Sequence, residues 1–166
     1  MLFRSMRRIG FDVADAGEDR SALIDFHGPV ALWSDLWKAK EDELLKSCTR
    51  AWAAARERNA MLVYDAIGVG ASVGAQVNVL NKPPFDIVRH MKFFAGGSVI
   101  KPDSKYKDTN ISNRDMFSNV KAQAWWLCAD KLRNTFNAVR NGHQHKDEDM
   151  LFLSSDRKST RLNSSH

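Results

Sequence analysis

Two cysteines in 166 residues, Cys48 and Cys128, are too few for a disulfide framework or a cysteine-ligated zinc site. Both fall among apolar neighbours in stretches that read as helices, and a reducing cytosol suits them. No apolar run approaches the roughly 20 residues that a bilayer-spanning helix requires, and the N-terminus carries no signal-peptide pattern. A Gly-Lys-Ser/Thr phosphate loop is missing, as are internal repeats, coiled-coil heptads and low-complexity tracts. What is present is ordinary for one soluble globular domain: 43% hydrophobic and 27% charged residues.

The two ends read differently from the middle. The segment from Asp156 to His166 back-translates to a common sequencing-library adapter, and Met1-Leu2-Phe3-Arg4-Ser5 back-translates to the reverse complement of part of the same oligonucleotide. Residues 1–5 and 156–166 are therefore read as adapter-derived, and residues 6–155 as a partial domain truncated at both ends. The whole chain carries 25 Lys+Arg and 20 Asp+Glu, a net charge of +5. Without Arg4, Arg157, Lys158 and Arg161 there are 21 basic residues, and without Asp156 there are 19 acidic ones, leaving +2. A balance so near neutral is weak support for nucleic-acid binding through bulk charge.

Alternation of Ile9, Phe11 and Val13 predicts a first strand over Arg8–Ala14. Turn residues at 15–19 and at His27-Gly28-Pro29 separate it from strands over Ser21–Phe26 and Val30–Trp37, giving an antiparallel three-strand meander. A helix is predicted over about Lys40–Arg58, with Glu41, Asp42 and Glu43 in its first turn and Leu44, Leu45, Cys48, Trp52 and Ala55 on its buried face. Met61–Ile67 follows as a strand whose continuous apolar run predicts burial on both faces. A flexible turn over Gly68–Gly74, a second helix from about Val73 to Leu80 ended by Pro83 and Pro84, and a fifth strand within Phe85–Phe93 complete the first two thirds. Ala95–Asn113 reads as a long surface loop of the kind that often carries function. A long helix is predicted to open at Ser112-Asn113-Arg114-Asp115 and run to about Arg140, with Phe117, Val120, Ala124, Leu127, Leu132 and Phe136 as its apolar stripe and Gly142 as its stop. The predicted fold class is α/β, a mixed sheet flanked by helices.

Chemistry concentrates on two acids. Asp12 lies within the first predicted strand and Asp65 at the end of the fourth. An acid in an otherwise apolar strand is unfavourable unless it is paired or metal-bound, and two acids brought together repel until a divalent cation neutralises them. Mg²⁺ takes oxygen ligands, often one or two carboxylates with waters and substrate phosphate, and two such ions can activate water and stabilise a leaving oxygen. In the plainer reading Asp65 caps the next helix and Asp12 starts a turn, and spacing alone does not choose. The glycines at 68, 70 and 74 miss the dinucleotide fingerprint by one position, so a close-packed turn is preferred to a nucleotide site. His143 and His145, with Asp147, Glu148 and Asp149, lack further ligands at metal spacing and read as a solvated loop. Of Trp125 and Trp126, at least one is expected in the core rather than as a stacking platform. Lys101, Lys105 and Lys107 around Tyr106 form a small basic, aromatic loop able to follow a phosphate backbone.

Together these segments resemble the nuclease domain of phage terminase large subunits. The resemblance runs from about Arg7 to Leu153. It rests on Gly10-Phe11-Asp12-Val13-Ala14-Asp15 with the turn Gly17-Glu18-Asp19-Arg20-Ser21-Ala22, and on Tyr64-Asp65-Ala66-Ile67-Gly68-Val69-Gly70-Ala71. The helical Asn119-Val120-Lys121-Ala122-Gln123-Ala124-Trp125-Trp126 and Arg133-Asn134-Thr135-Phe136-Asn137-Ala138-Val139 add to it. It implies a ribonuclease H-like fold and cleavage of double-stranded concatemeric DNA at packaging initiation and termination. Mg²⁺ or Mn²⁺ is the implied cofactor, two ions in a complete domain. Asp12 and Asp65 carry over as metal ligands, with Asp15 and Asp19 as further acids at second rank. It also implies a portal protein and a small terminase subunit as partners, a preceding ATPase domain that this chain does not contain, and a place in the host bacterial cytoplasm at the procapsid portal, away from membranes. The family's last acidic motif, near the domain's end, has no counterpart here, so this chain is expected to cleave weakly or not at all. A resolvase-like or integrase-like nuclease of the same fold and a non-catalytic DNA- or portal-docking module are the rival readings, with a nucleotide-binding enzyme third.

Overall fold

The computed structural model describes residues 6–154 apart from 15–17, 39, 41–42 and 85. The terminal segments read as adapter-derived, the acid Asp15 and the first-turn acids Glu41 and Asp42 lie outside the described residues. The chain divides into two compact units, Met1–Lys92 with Leu153–His166, and Phe93–Phe152.

The first unit is built on a mixed sheet. Strands β1 (Arg7–Asp12), β2 (Ser21–His27) and β3 (Val30–Trp37) form the expected antiparallel meander, and β4 (Met61–Asp65) lies parallel to β1. With β5 (His90–Phe93) and β6 (Phe152–Leu153) the sheet order is β5-β4-β1-β2-β3-β6. Helices α1 (Leu44–Glu57) and α2 (Val73–Leu80) complete the unit. Strand alternation turns Ile9, Phe11, Leu62 and Tyr64 to one face, where they meet Cys48, Ala51 and Ala55 of α1 and Val73 and Val77 of α2 in one apolar cluster. Small residues on α1 let the helix approach the sheet closely, while Trp33, Trp37 and Trp52 pack at the cluster's margin.

Several boundaries differ from expectation. β1 stops at Asp12 rather than Ala14, and β4 at Asp65 rather than Ile67. β4 buries only alternate residues, Leu62 and Tyr64, so it is not enclosed on both faces. Leu45, expected in the α1 core, is exposed, because it falls beside rather than on the line of Ser47, Cys48, Ala51 and Ala55. The flexible glycine turn is instead a 3-10 helix, Gly68–Ser72, continuous with α2.

In the second unit, the single long helix predicted from residue 112 is two. A short α3 (Asn113–Met116) ends at Phe117, whose backbone is extended, and α4 (Val120–Asn141) restarts after Asn119. The Asn119 side chain accepts a 2.9 Å hydrogen bond from the Ala122 amide, a helix N-cap. Gly142 ends α4 in the left-handed conformation, as expected. The loop before α3 is held by side chains. Gln123 accepts from the Ile100 amide at 2.7 Å and donates to the Ile100 carbonyl at 3.0 Å, and Asn113 donates to the carbonyls of Ile100 and Lys101. Loop backbone without ladder partners is thereby satisfied.

Candidate active site

β1 and β4 run side by side in the same direction, paired in register from Arg8↔Met61 to Phe11↔Tyr64. Asp12 and Asp65 are each the next residue, and each is the last of its strand. Matched positions of neighbouring parallel strands share a face and lie about 5 Å apart. The two acids sought in the sequence therefore stand together at the carboxyl ends of two central strands. By alternation they share the face opposite the apolar cluster. Asp12 is exposed and Asp65 half-buried, and among the described residues neither has an ion-pair partner.

Asp65 is fixed from two sides. Its Oδ1 accepts a 3.2 Å hydrogen bond from the Ile67 amide, which folds the chain back toward the strand end. Gly70 then packs on its main chain: a Cβ there would stand 2.0 Å from the Asp65 carbonyl oxygen and 3.8 Å from Val13. Gly68 makes the preceding turn with φ +61°, a region glycine enters without penalty. Close packing, as preferred for this glycine segment, is thus found at Gly70, whereas Gly68 has open space around it.

The residue before Asp65 is anchored on the other face. The Tyr64 hydroxyl is 3.2 Å from His90 Nδ1, and His90 Nε2 is 2.9 Å from Asn78 Oδ1 on α2. The Tyr64 and His90 rings stack at 5.9 Å, and Gly74 leaves room for the phenol, since a Cβ there would lie 2.3 Å from its oxygen. Burial raises the Tyr64 pKa, with Cys48 adding to it. Burial lowers that of His90, with Lys92 adding to it. This Tyr-His-Asn chain joins β4, β5 and α2. Sequence reasoning missed it because its members are 26 and 12 residues apart; only the tyrosine inside an aliphatic strand hinted at a polar partner.

Two carboxylates from adjacent strands suit an oxygen-seeking divalent ion, which completes its shell with water and phosphate oxygens. Among the described residues there is no group of three or more His, Cys, Asp or Glu that could hold a metal. Asp19, the further candidate described, is exposed and lies outside the strands. In the 143–149 segment, His143, Asp147, Glu148 and Asp149 are exposed and His145 is half-buried.

In the second unit, Lys101 and Lys105 are exposed, with Lys105 donating to Asn110 at 3.0 Å. Lys107 is engaged: its Nζ lies 2.7 Å from Asp130. Tyr106, expected to join a basic aromatic loop, is buried instead, its hydroxyl donating to Asp130 and its ring set edge-on to Phe117 at 5.3 Å. Neither Trp125 nor Trp126 is in the core; they are 69% and 48% exposed. Ala124, Leu127, Leu132 and Phe136, expected on a buried stripe, are exposed as well, whereas Phe117 and Val120 are buried.

Solved structures share this architecture. The nuclease domain of the large terminase subunit gp2 of bacterial virus Sf6 superposes with a TM-score of 0.79 at 23% identity, over 91% of this chain and 64% of that one. The fold is that of a terminase nuclease domain. A point mutant of the Sf6 domain with manganese and beta-thujaplicinol gives a TM-score of 0.79, and one with calcium gives 0.78, each at 23% identity and with the same coverage of 91% and 64%. This chain therefore spans about 64% of the length of the terminase domains it matches. No family model matches the chain, and no curated protein matches it in sequence. The expected ribonuclease H-like class, a three-strand meander continued by parallel strands, is what the terminase fold provides. No helix among the described residues is long and apolar enough to cross a membrane.

Proposed function

We propose that this chain is part of a phage terminase nuclease domain that cuts double-stranded concatemeric DNA, at packaging initiation and termination, with the help of a divalent metal. The observation that carries the reading is the register of β1 and β4, which end together on Asp12 and Asp65. Support comes also from the fold, and from relatives of that fold that were solved with manganese and with calcium. When bound, Mg²⁺ or Mn²⁺ supplies Lewis acidity for hydrolysis of a phosphodiester by water. The chain's part is to hold the ion between Asp12 and Asp65. The Ile67 amide and the Gly70 backbone keep Asp65 in place. Lys101 and Lys105 are the exposed cations offered to a DNA backbone, and Lys107 is secondary because Asp130 already pairs with it. Asp15 and Asp19 remain candidates for contacts outside the metal's own ligands. The portal protein and small terminase subunit are the partners this reading brings, and the phage-infected bacterial cytoplasm is its setting.

With no third acid beside Asp12 and Asp65 among the described residues, the 166-residue chain is expected to bind Mn²⁺ weakly and to nick DNA poorly. The test is Mn²⁺ titration of the chain, followed by electron paramagnetic resonance. Asp12→Asn and Asp65→Asn should each weaken binding at least about tenfold, the scale seen for loss of a supporting group at a metal site. Unchanged Mn²⁺ affinity in both variants refutes the site. Unchanged cleavage by a full-length parent carrying both substitutions favours the non-catalytic docking module.

A further inference from the structure

Helix α4 is amphipathic in the wrong sense for a helix lying on a protein core. Its buried residues are Val120, Gln123 and Asp130. Two of the three are polar, and they are used to hold chain: Gln123 clasps Ile100, and Asp130 receives Tyr106, Lys107 and Arg133. On an adjoining strip, Asn134 donates to the Asp149 carbonyl at 2.9 Å and Thr135 bonds both the carbonyl and the amide of Leu151, at 2.8 and 3.0 Å. Apart from Val120, the large apolar residues lie elsewhere: Trp126 and Leu127 are 48% and 41% exposed at separate positions round the helix, and the others form one line. Trp125, Ala129, Leu132, Phe136 and Val139 follow one another at steps of four, three, four and three residues. At 3.6 residues per turn these five fall within roughly 40° of one line that runs for about 21 Å. All five are exposed, Trp125 by 69%, Leu132 by 45%, Phe136 by 58% and Val139 by 74%.

That spacing is the seam by which one helix receives another. The charges beside it have one sign. Arg133 and Arg140 line one edge and Lys121 stands near its start, while the helix's one acid, Asp130, is buried on the far side. Arg140 and Lys121 have no ion pair among the described residues, and Arg133 is 65% exposed although it also reaches Asp130. A second copy of this helix would bring the same basic edge and no acid to meet it. We propose that this face of α4 docks an amphipathic helix of a partner protein, with an apolar seam of the same period and acidic residues on its flanks. Opposite charge along the edge sets partner choice, as it does in paired helices generally.

The experiment uses the whole chain and three synthetic helical peptides with one Leu seam: Glu on the flanks, Lys on the flanks, and the Glu peptide scrambled. Tryptophan emission and calorimetry are followed during titration. The Glu peptide should bind, shift the emission to the blue through Trp125, and bind at least tenfold more tightly than the Lys peptide. Leu132→Asp and Val139→Asp should each abolish binding with an unchanged far-ultraviolet circular dichroism spectrum. Trp125→Phe should remove the shift. No binding, or equal binding of the Glu and Lys peptides, overturns the proposal. So does a concentration-dependent dimer dispersed by Phe136→Asp, which assigns the face to a second copy. Tighter binding of phosphatidylglycerol vesicles or of a DNA duplex than of the Glu peptide overturns it as well.

Discussion

Replacing Gly70 by alanine tests whether Asp65 is held by close backbone packing. The new Cβ would stand 2.0 Å from the Asp65 carbonyl oxygen and 3.0 Å from its carbonyl carbon. Real Cβ atoms essentially never come closer than 3.0 Å to a neighbour, so the strand end and the 3-10 turn must part by at least 1.0 Å, the difference between 3.0 and 2.0. The obstacle is main chain and cannot swing aside as a side chain does. Overpacking of this kind costs about 3 kcal/mol, the upper part of its usual range. For a chain of this size that lowers the melting temperature by roughly 6–12 °C. Gly68→Ala is the control. Gly68 has φ +61° and no atom within 4 Å of the added methyl, so only backbone strain acts, about 1 kcal/mol and roughly 2–4 °C. Thermal denaturation followed by circular dichroism gives the order wild type, Gly68→Ala, Gly70→Ala. Gly70→Ala melting at or above Gly68→Ala would show that Gly70 does not brace Asp65. A stable Gly70→Ala protein with full Mn²⁺ affinity would remove the bracing argument from the metal site too.

Asp25 is fully buried on β2 and receives Arg7 through its Nε at 2.9 Å and Nη2 at 2.5 Å, with Arg58 farther off at 3.6 Å. Arg7→Met should lower stability in urea by about 3 kcal/mol through the stranded charge, and Arg7→Met with Asp25→Leu should recover most of it; a double variant no better than the single one contradicts this account. Burial pushes the Cys48 thiol up to about 11, so a disulfide reagent at pH 8 should titrate Cys128 alone in the native protein and both thiols in denaturant. Burial lowers the His90 pKa in the fold below the ordinary 6.5 of an imidazole. The unfolded chain therefore binds more protons than the native one as pH falls through that value, and the His90 contribution is present above 6.5 and lost below it. Urea midpoints from pH 8 to pH 5 should show this slope, and it should flatten in His90→Gln.

Local pattern carried the meander, α1 and β4, because two-residue and 3.6-residue periods are written in neighbouring residues and a sheet with one buried face enforces them. It carried Asp12 and Asp65 as candidates by the same logic, since an acid closing an apolar strand stands out. Their meeting was not local. It depends on β4 lying parallel to β1 rather than elsewhere in the sheet, a pairing between segments some fifty residues apart. The break before α4 was legible in principle in Asn119, a good N-cap, but Arg114-Asp115-Met116 continued a helical pattern and concealed it. The α4 stripe shows the limit most plainly. Of the expected stripe, Leu132 and Phe136 do share one side of a helix, because helical geometry alone does that, and the same geometry sets Trp125 beside them. Which side faces inward was decided by the tertiary structure, where Gln123 and Asp130 satisfy loop backbone and a buried tyrosine that no periodic pattern records. Periodicity fixes what lies together on a face, and the polar groups that must be paired elsewhere in the chain choose the face that is buried.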